Sequence, residues 1–338
     1  MIQQNNKIYS AVIGLGVGMK HFDTMRKNKN CEVKIVCDKN IKILNKLKKK
    51  YKNINFTTND SEIFKDKKIN LVSIASYDDD HFSQVMKSLE NNKNVIVEKP
   101  ICLNYNELKK ISKVLKKKKN LKLTSNLVLR TEPIFRKIKE TISKKSFGNI
   151  NIIEADYIWA RPWKLEGWRS HKKEYSIIHG AAIHMIDLVN WLLNKKPSEV
   201  IALGSINKNL KKYKKVSDCI LLLRYDKNIS VKISVVATSP YKHFHELKIF
   251  SNKYSLIHNI DKSKIMKGFE KKNKVTNLKE SYPQKKNRGI LINNFINSLL
   301  DKNQKHIIDQ NEVINSMSVA LAAEKSLKNF KKIKVKYL

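Results

Sequence analysis

The chain has 338 residues, 41% of them hydrophobic, which suffices for two domains with a sizeable buried core and excludes a disordered polymer. No apolar run reaches the roughly 18 residues of a membrane helix, and Met1-Ile2-Gln3-Gln4-Asn5-Asn6 lacks the charged-then-apolar layout of a signal peptide, so a cytoplasmic location without a membrane partner is expected. The net charge of +39 raises the question of nucleic acid, but only seven of the 69 basic residues are arginine; base readout favours the arginine fork and no nucleic-acid-binding motif accompanies the charge, so no such partner is expected.

In chain order, the apolar segments 8–13, 33–37, 55–57, 71–75 and 94–97 read as short buried strands, separated by helical patterns over 19–27, 41–51 and 82–91. This alternation implies a parallel, doubly wound sheet, which a helix over 105–117 and a strand over 121–125 would close near residue 126. Then the rhythm changes. A helix over 133–142 precedes β-rich segments at 151–159, 199–205, 216–225, 230–238 and 245–250, and helices over 290–300 and 312–328 end the chain. The expected fold is an α/β domain over 1–126 followed by an α+β domain over 127–338 with an open, mostly antiparallel sheet. Cys31, Cys37, Cys102 and Cys219 form no Cys-x-x-Cys pair, so neither a disulfide nor a metal site is expected.

Gly14-x-Gly16 follows the first strand and opens a helix, the context in which glycines let backbone approach a pyrophosphate. Gly14, Gly16, Val17 and Gly18 are therefore candidate cofactor contacts. The usual third glycine would fall at Met19, with Gly18 one place early, which loosens the expected helix–strand contact. Asp38, ending the second strand, can accept hydrogen bonds from ribose hydroxyls and repel a 2′-phosphate, which favours NAD over NADP. The alternative is a plain tight turn, with Asp38 capping the next helix. In the run Asp78-Asp79-Asp80-His81 one aspartate is expected to cap the helix near Phe82, and Ser76 and His81 are further candidate cofactor contacts. Adjacent carboxylates at a helix start do not require a metal.

Glu98-Lys99-Pro100 stands directly after the strand 94–97. Proline fixes φ and removes a donor, so the strand must stop and deliver Lys99 to the rim where open α/β sheets do chemistry. Further on lies His179-Gly180-Ala181-Ala182-Ile183-His184-Met185-Ile186-Asp187, ahead of Trp191. With these motifs the chain resembles the glucose-fructose oxidoreductase/inositol dehydrogenase (Gfo/Idh/MocA) family over most of its length. The resemblance implies an N-terminal Rossmann domain that binds NAD, with Glu98, Lys99 and Pro100 at its cofactor site, and a second domain whose open sheet often mediates homo-oligomerisation as a dimer or tetramer. It also implies a sugar-like substrate held between nicotinamide and that sheet.

Removing hydride from a carbinol requires the hydroxyl proton to leave too, so a base must touch the oxygen while a cationic group stabilises alkoxide character. Lys99 and His184 are the candidates. The chain departs from the family at one place: relatives with an Asp-x-x-x-His pair carry a carboxylate four residues before the histidine, where this chain has Gly180. His179 could occupy the space Gly180 leaves open and act in catalysis, or serve as a structural hydrogen-bonding residue. Asp187 is expected to orient a neighbour.

Tyr157, Trp159, Trp163 and Trp168 cluster around Arg161 and Arg169. Flat rings suit sugar C–H faces and an arginine fork suits phosphate or carboxylate, so Arg130, Tyr157, Arg161, Trp168 and Arg169 join Lys99 and His184 as candidate substrate contacts; a packed loop or subunit contact is the competing reading. His243 and His245 alternate on a strand and could face one side of the sheet, as structure or substrate lining. The leading function is an NAD-dependent oxidoreductase acting on a secondary hydroxyl of a sugar, nucleotide sugar or cyclitol. An NADH-dependent reductase of a keto-sugar or imine, and a dinucleotide-sensing protein without turnover, are the alternatives.

Overall fold

The computed structural model describes residues 7–269, 273–284, 287, 289–301 and 303–338; the N-terminal hexapeptide read above for a signal lies outside them. The chain divides into two units, Met1–Val128 with Lys286–Ile314, and Leu129–Lys285 with Asn315–Leu338.

The first unit alternates β1 (Ile8–Ile13), α1 (Gly18–Lys27), β2 (Cys31–Cys37), α2 (Ile41–Lys50), β3 (Asn55–Thr57), α3 (Ser61–Lys65), β4 (Leu71–Ile74), α4 (Asp78–Glu90), β5 (Asn94–Val97), α5 (Tyr105–Lys117) and β6 (Leu123–Ser125). Its strands pair in parallel in the order β3-β2-β1-β4-β5-β6. Both β4 and β5 are buried at every position, as a sheet covered on two faces requires. The strand order reverses between β1 and β4, and their diverging carboxyl ends form the crevice where such sheets bind ligands. The run of aspartates corrects one expectation. Helix α4 begins at Asp78 behind Tyr77, and no side chain caps it; all three aspartates lie in its first turn, where they offset the positive end of the helix dipole.

The second unit holds α6 (Pro133–Ile142), β7 (Ile150–Ile158), the short helices α7 (Pro162–Glu166) and α8 (Trp168–His171), a π-helical turn Ile178–Ala182, and α9 (Ile183–Leu193). Its sheet continues with β8 (Glu199–Ser205), β9 (Asp218–Arg224), β10 (Ser230–Val236), β11 (Phe244–Ser251), β12 (Tyr254–His258), β13 (Ser263–Lys267) and β14 (Lys274–Leu278). These strands are antiparallel except where β10 meets β7 in parallel. Along β8 and β9 the side chains alternate. Val200, Ala202, Leu221 and Leu223 are buried, whereas Ile201, Leu203, Ile220 and Leu222 are exposed, so one face covers the core and the other is open.

Helix α10 (Ile290–Leu300) returns to the first unit. The sequence reading had placed these residues in the second domain. Ile292, Phe295 and Ile296 share a buried cluster with Ile8, Val12, Phe22 and Met25 of β1 and α1. Asn28 and Asn30 donate to Asn293 and Asn297 at 2.8 and 3.1 Å. Helix α11 (Gln310–Asn329) and β15 (Ile333–Lys334), which pairs with β8, end the chain.

Candidate active site

In the first unit, the carboxyl ends of β1, β2 and β5 deliver the glycine turn, Asp38 and Lys99 to one edge of the parallel sheet. Gly14 has φ of +86°, and a Cβ there would lie 2.4 Å from the Ala75 carbonyl oxygen after β4, so only glycine fits. At Gly16 a Cβ would meet nothing within 4 Å. Open space thus stands over the start of α1, whose first turn has no capping side chain and no acidic residue. Unpaired N–H groups, the positive dipole end and bare glycine backbone are what a pyrophosphate needs. Gly18 lies against Ala75 and Val12. It therefore makes the close helix–strand approach itself, and the contact expected to be loosened at Met19 is tight.

Asp38 takes the Leu15 N–H on one oxygen at 2.5 Å and the Asn40 N–H on the other at 2.7 Å. Each oxygen keeps a lone pair for a ribose hydroxyl, and the carboxylate is locked beside the turn. It does not cap α2; Asn40 does, accepting from Lys42 and Ile43. These features fit a bound dinucleotide.

Two candidates in this unit have other work. His81 is fully buried, and its Nδ1–H donates to the Pro100 carbonyl at 2.6 Å; it ties the segment after β5 to α4, which corrects its reading as a cofactor contact. Glu98 accepts from His21 at 3.1 Å and Asn126 at 2.6 Å, and the His21 ring reaches Ser73 at 2.8 Å. Burial pushes the Glu98 carboxyl up, but the His21 hydrogen bond and charge, the Lys99 charge and Asn126 outweigh it and hold it down at about 2. Glu98 is an internal anchor that fixes the backbone carrying Lys99. Ser76 donates to Gln84 at 2.7 Å, and the Lys99–Pro100 peptide is cis.

In the second unit, the Tyr157 ring of β7 stacks on His245 at 4.0 Å and meets His243 and His184 edge-on at 5.4 and 6.0 Å. Both rings gather on Tyr157, but only His245 lies on β11; His243 precedes the strand, which corrects the expectation that the two alternate along it. Tyr282 shares a hydrogen bond with His245 Nδ1. Burial, followed by the neighbouring His184, His243, His258 and Arg161, drives the pKa of His245 far below the ordinary imidazole value, so it stays neutral.

A second cluster surrounds Arg169, whose guanidinium lies 4.3 Å over Trp168, 5.4 Å over Tyr175 and 5.6 Å over Trp159. Trp163 is exposed at 65% and stands outside it. Arg130 is corrected. Its Nε and Nη2 pair with Asp187 at 2.9 and 2.7 Å, both side chains being 1% exposed, and Ser316 donates to the same carboxylate at 3.0 Å. A guanidinium so enclosed binds α9 rather than a substrate, and Asp187 has its orienting task in it.

His179 is buried in the π-helical turn, and the space over Gly180 is not left for it: a Cβ at 180 would lie 2.2 Å from the Tyr175 hydroxyl. Sequence reasoning missed Tyr175, along with Tyr282 and the His21–Glu98 pair. No motif marks them. Among the described residues no group of three potential metal ligands occurs, and no helix is long and apolar enough to cross a membrane.

Residues 8–126 match the family model described as "Oxidoreductase family, NAD-binding Rossmann fold", and residues 139–335 match its "C-terminal alpha/beta domain". Myo-inositol 2-dehydrogenase of Thermotoga maritima is 22% identical over 72% of each chain. Oxidoreductase P35 of Formosa agariphila is 29% identical over 49% of this chain and 53% of its own length. The chain spans about a third to a half of the length of several curated relatives it matches. A levoglucosan dehydrogenase solved in complex with NADH superposes with a TM-score of 0.86 at 16% identity, over 98% of this chain and 100% of that one, which shows the shared fold. With both of its domain models matched in order along the sequence, the chain belongs to the Gfo/Idh/MocA oxidoreductase family.

Proposed function

We propose that this protein is an NAD-dependent oxidoreductase that moves a hydride between the cofactor and a secondary hydroxyl or keto carbon of a sugar, nucleotide sugar or cyclitol. The observation that carries the reading is the edge of the parallel sheet, where an anion-ready helix start, a carboxylate suited to ribose and a lysine stand on three strand ends. Bound NAD supplies the hydride acceptor. The chain's own groups do the rest: Asp38 selects the ribose without a 2′-phosphate, Lys99 stabilises charge developing on the substrate oxygen, and His184 takes the hydroxyl proton. Arg161, whose charge is felt at His245, and Tyr157 are assigned to substrate in the second unit. The relatives named as inositol and levoglucosan dehydrogenases support a polyol substrate.

The test is a panel of polyols and sugars with NAD, followed by NADH absorbance, with the Lys99→Met variant in parallel. The variant is expected to lose turnover by about 100-fold or more while retaining NADH; near-normal turnover removes Lys99 from the mechanism. Protein that copurifies with cofactor and turns over nothing supports sensing instead, the reading that Gly180 favours. We assign the exposed apolar rows of β8 and β9, with Ile152 of β7 beside them, to a second copy of the chain; light scattering that reads a monomer at micromolar concentration refutes it.

A further inference from the structure

Four residues before His184, the backbone at Gly180 is covered by a side chain from elsewhere. Measured from an ideal Cβ at 180, the Tyr175 hydroxyl oxygen lies at 2.2 Å, and its Cζ and Cε2 carbons at 2.8 and 3.0 Å. That oxygen is roughly two covalent bonds from the Cβ site, the same distance at which the terminal oxygen of a short acidic side chain at 180 would lie. The two residues are coupled: any Cβ at 180 requires the tyrosine ring to shift.

The ring is also held in place. Trp168 meets it edge-on at 5.8 Å, Tyr213 at 6.1 Å, and the Arg169 guanidinium covers it at 5.4 Å, leaving Tyr175 5% exposed. Gly180 donates its N–H to Ser176 at 2.8 Å within the π-helical turn, which runs into α9 at Ile183. Positions 180 and 184 are thus about one turn apart, and such turns recur at functional sites.

We propose that the phenol of Tyr175 is the positioning residue for His184, holding the imidazole oriented for the substrate hydroxyl proton in place of a carboxylate at 180. The inference rests on the dehydrogenase reading above. It adds no redox step: the proton passes from substrate oxygen to imidazole nitrogen, and the phenol keeps its own.

The experiment uses the full chain, the substrate found in the polyol panel, and two variants. Tyr175→Phe keeps the ring and removes only the hydroxyl; kcat is expected to fall about 10–100-fold, with substrate KM, NADH affinity and melting temperature little changed. Tyr175→Ala combined with Gly180→Asp places a carboxylate in the vacated volume and is expected to run at least tenfold faster than Tyr175→Ala alone. Turnover of Tyr175→Phe within twofold of the wild type overturns the inference and leaves the dehydrogenase reading standing. A carboxylate variant that melts normally, binds NADH and is no faster than Tyr175→Ala also overturns it. A wild-type protein that binds NADH and oxidises nothing in the panel overturns the dehydrogenase reading, and this inference with it.

Discussion

Replacing Asp187 with asparagine changes one atom and removes one charge. In the native unit that carboxylate meets the Arg130 guanidinium through two bonds of 2.9 and 2.7 Å, with both side chains 1% exposed. The amide of asparagine turns a donor toward a donor and leaves the guanidinium buried without its counter-charge. Breaking such a pair from one side costs about 3–5 kcal/mol, and at roughly 2–4 °C per kcal/mol for a unit of this size the melting temperature falls by about 6–20 °C. The assay is built in. All four tryptophans, Trp159, Trp163, Trp168 and Trp191, lie in the second unit, so intrinsic tryptophan fluorescence during heating follows that unit alone. The double variant Arg130→Met/Asp187→Leu removes both charges and is expected to recover most of the loss, since the penalty comes from the uncompensated charge. A shift below about 2 °C for Asp187→Asn, or a double variant no more stable than the single, refutes the reasoning and returns Arg130 to the substrate-binding candidates.

Two further predictions concern the first unit. Because the folded pKa of Glu98 is depressed from 4.5 to about 2, its stabilisation is present above pH 4.5 and lost as the pH falls toward 2; the loss is on the order of 3 kcal/mol. Glu98→Gln should flatten the stability of this unit across that window, read by far-UV circular dichroism, and an unchanged slope counts against the His21–Glu98 account. For the glycine turn, Gly16→Ala should leave stability within about 0.5 kcal/mol and weaken NADH binding, because its Cβ enters open space over α1. Gly14→Ala should destabilise by roughly 1–3 kcal/mol, because its Cβ meets the Ala75 carbonyl. Calorimetric titration of NADH that finds Gly16→Ala unaffected removes the pyrophosphate from that space.

What could be read from the chain alone was whatever is written in short-range order. Alternating apolar runs and helical periods determine the parallel sheet, because a strand buried on both faces needs an unbroken apolar run and a helix on a core needs a 3.6-residue repeat. Gly14, Asp38 and Lys99 were legible for a related reason: a tight turn, a strand-end carboxylate and a lysine before proline each mark the carboxyl end of a strand. Contacts between segments distant in sequence were beyond such reading. Periodicity showed that α10 is a helix, but only packing against Phe22 and Met25 decided which unit it completes. The same holds within the candidate site. Arg130 has the chemistry of a substrate ligand until tertiary structure encloses it with Asp187; Tyr175 is close to Gly180 in sequence, yet no periodicity or motif records that its ring turns back over that glycine. A side chain's type is set by the sequence, whereas its partner is set by chain crossings that no local pattern records.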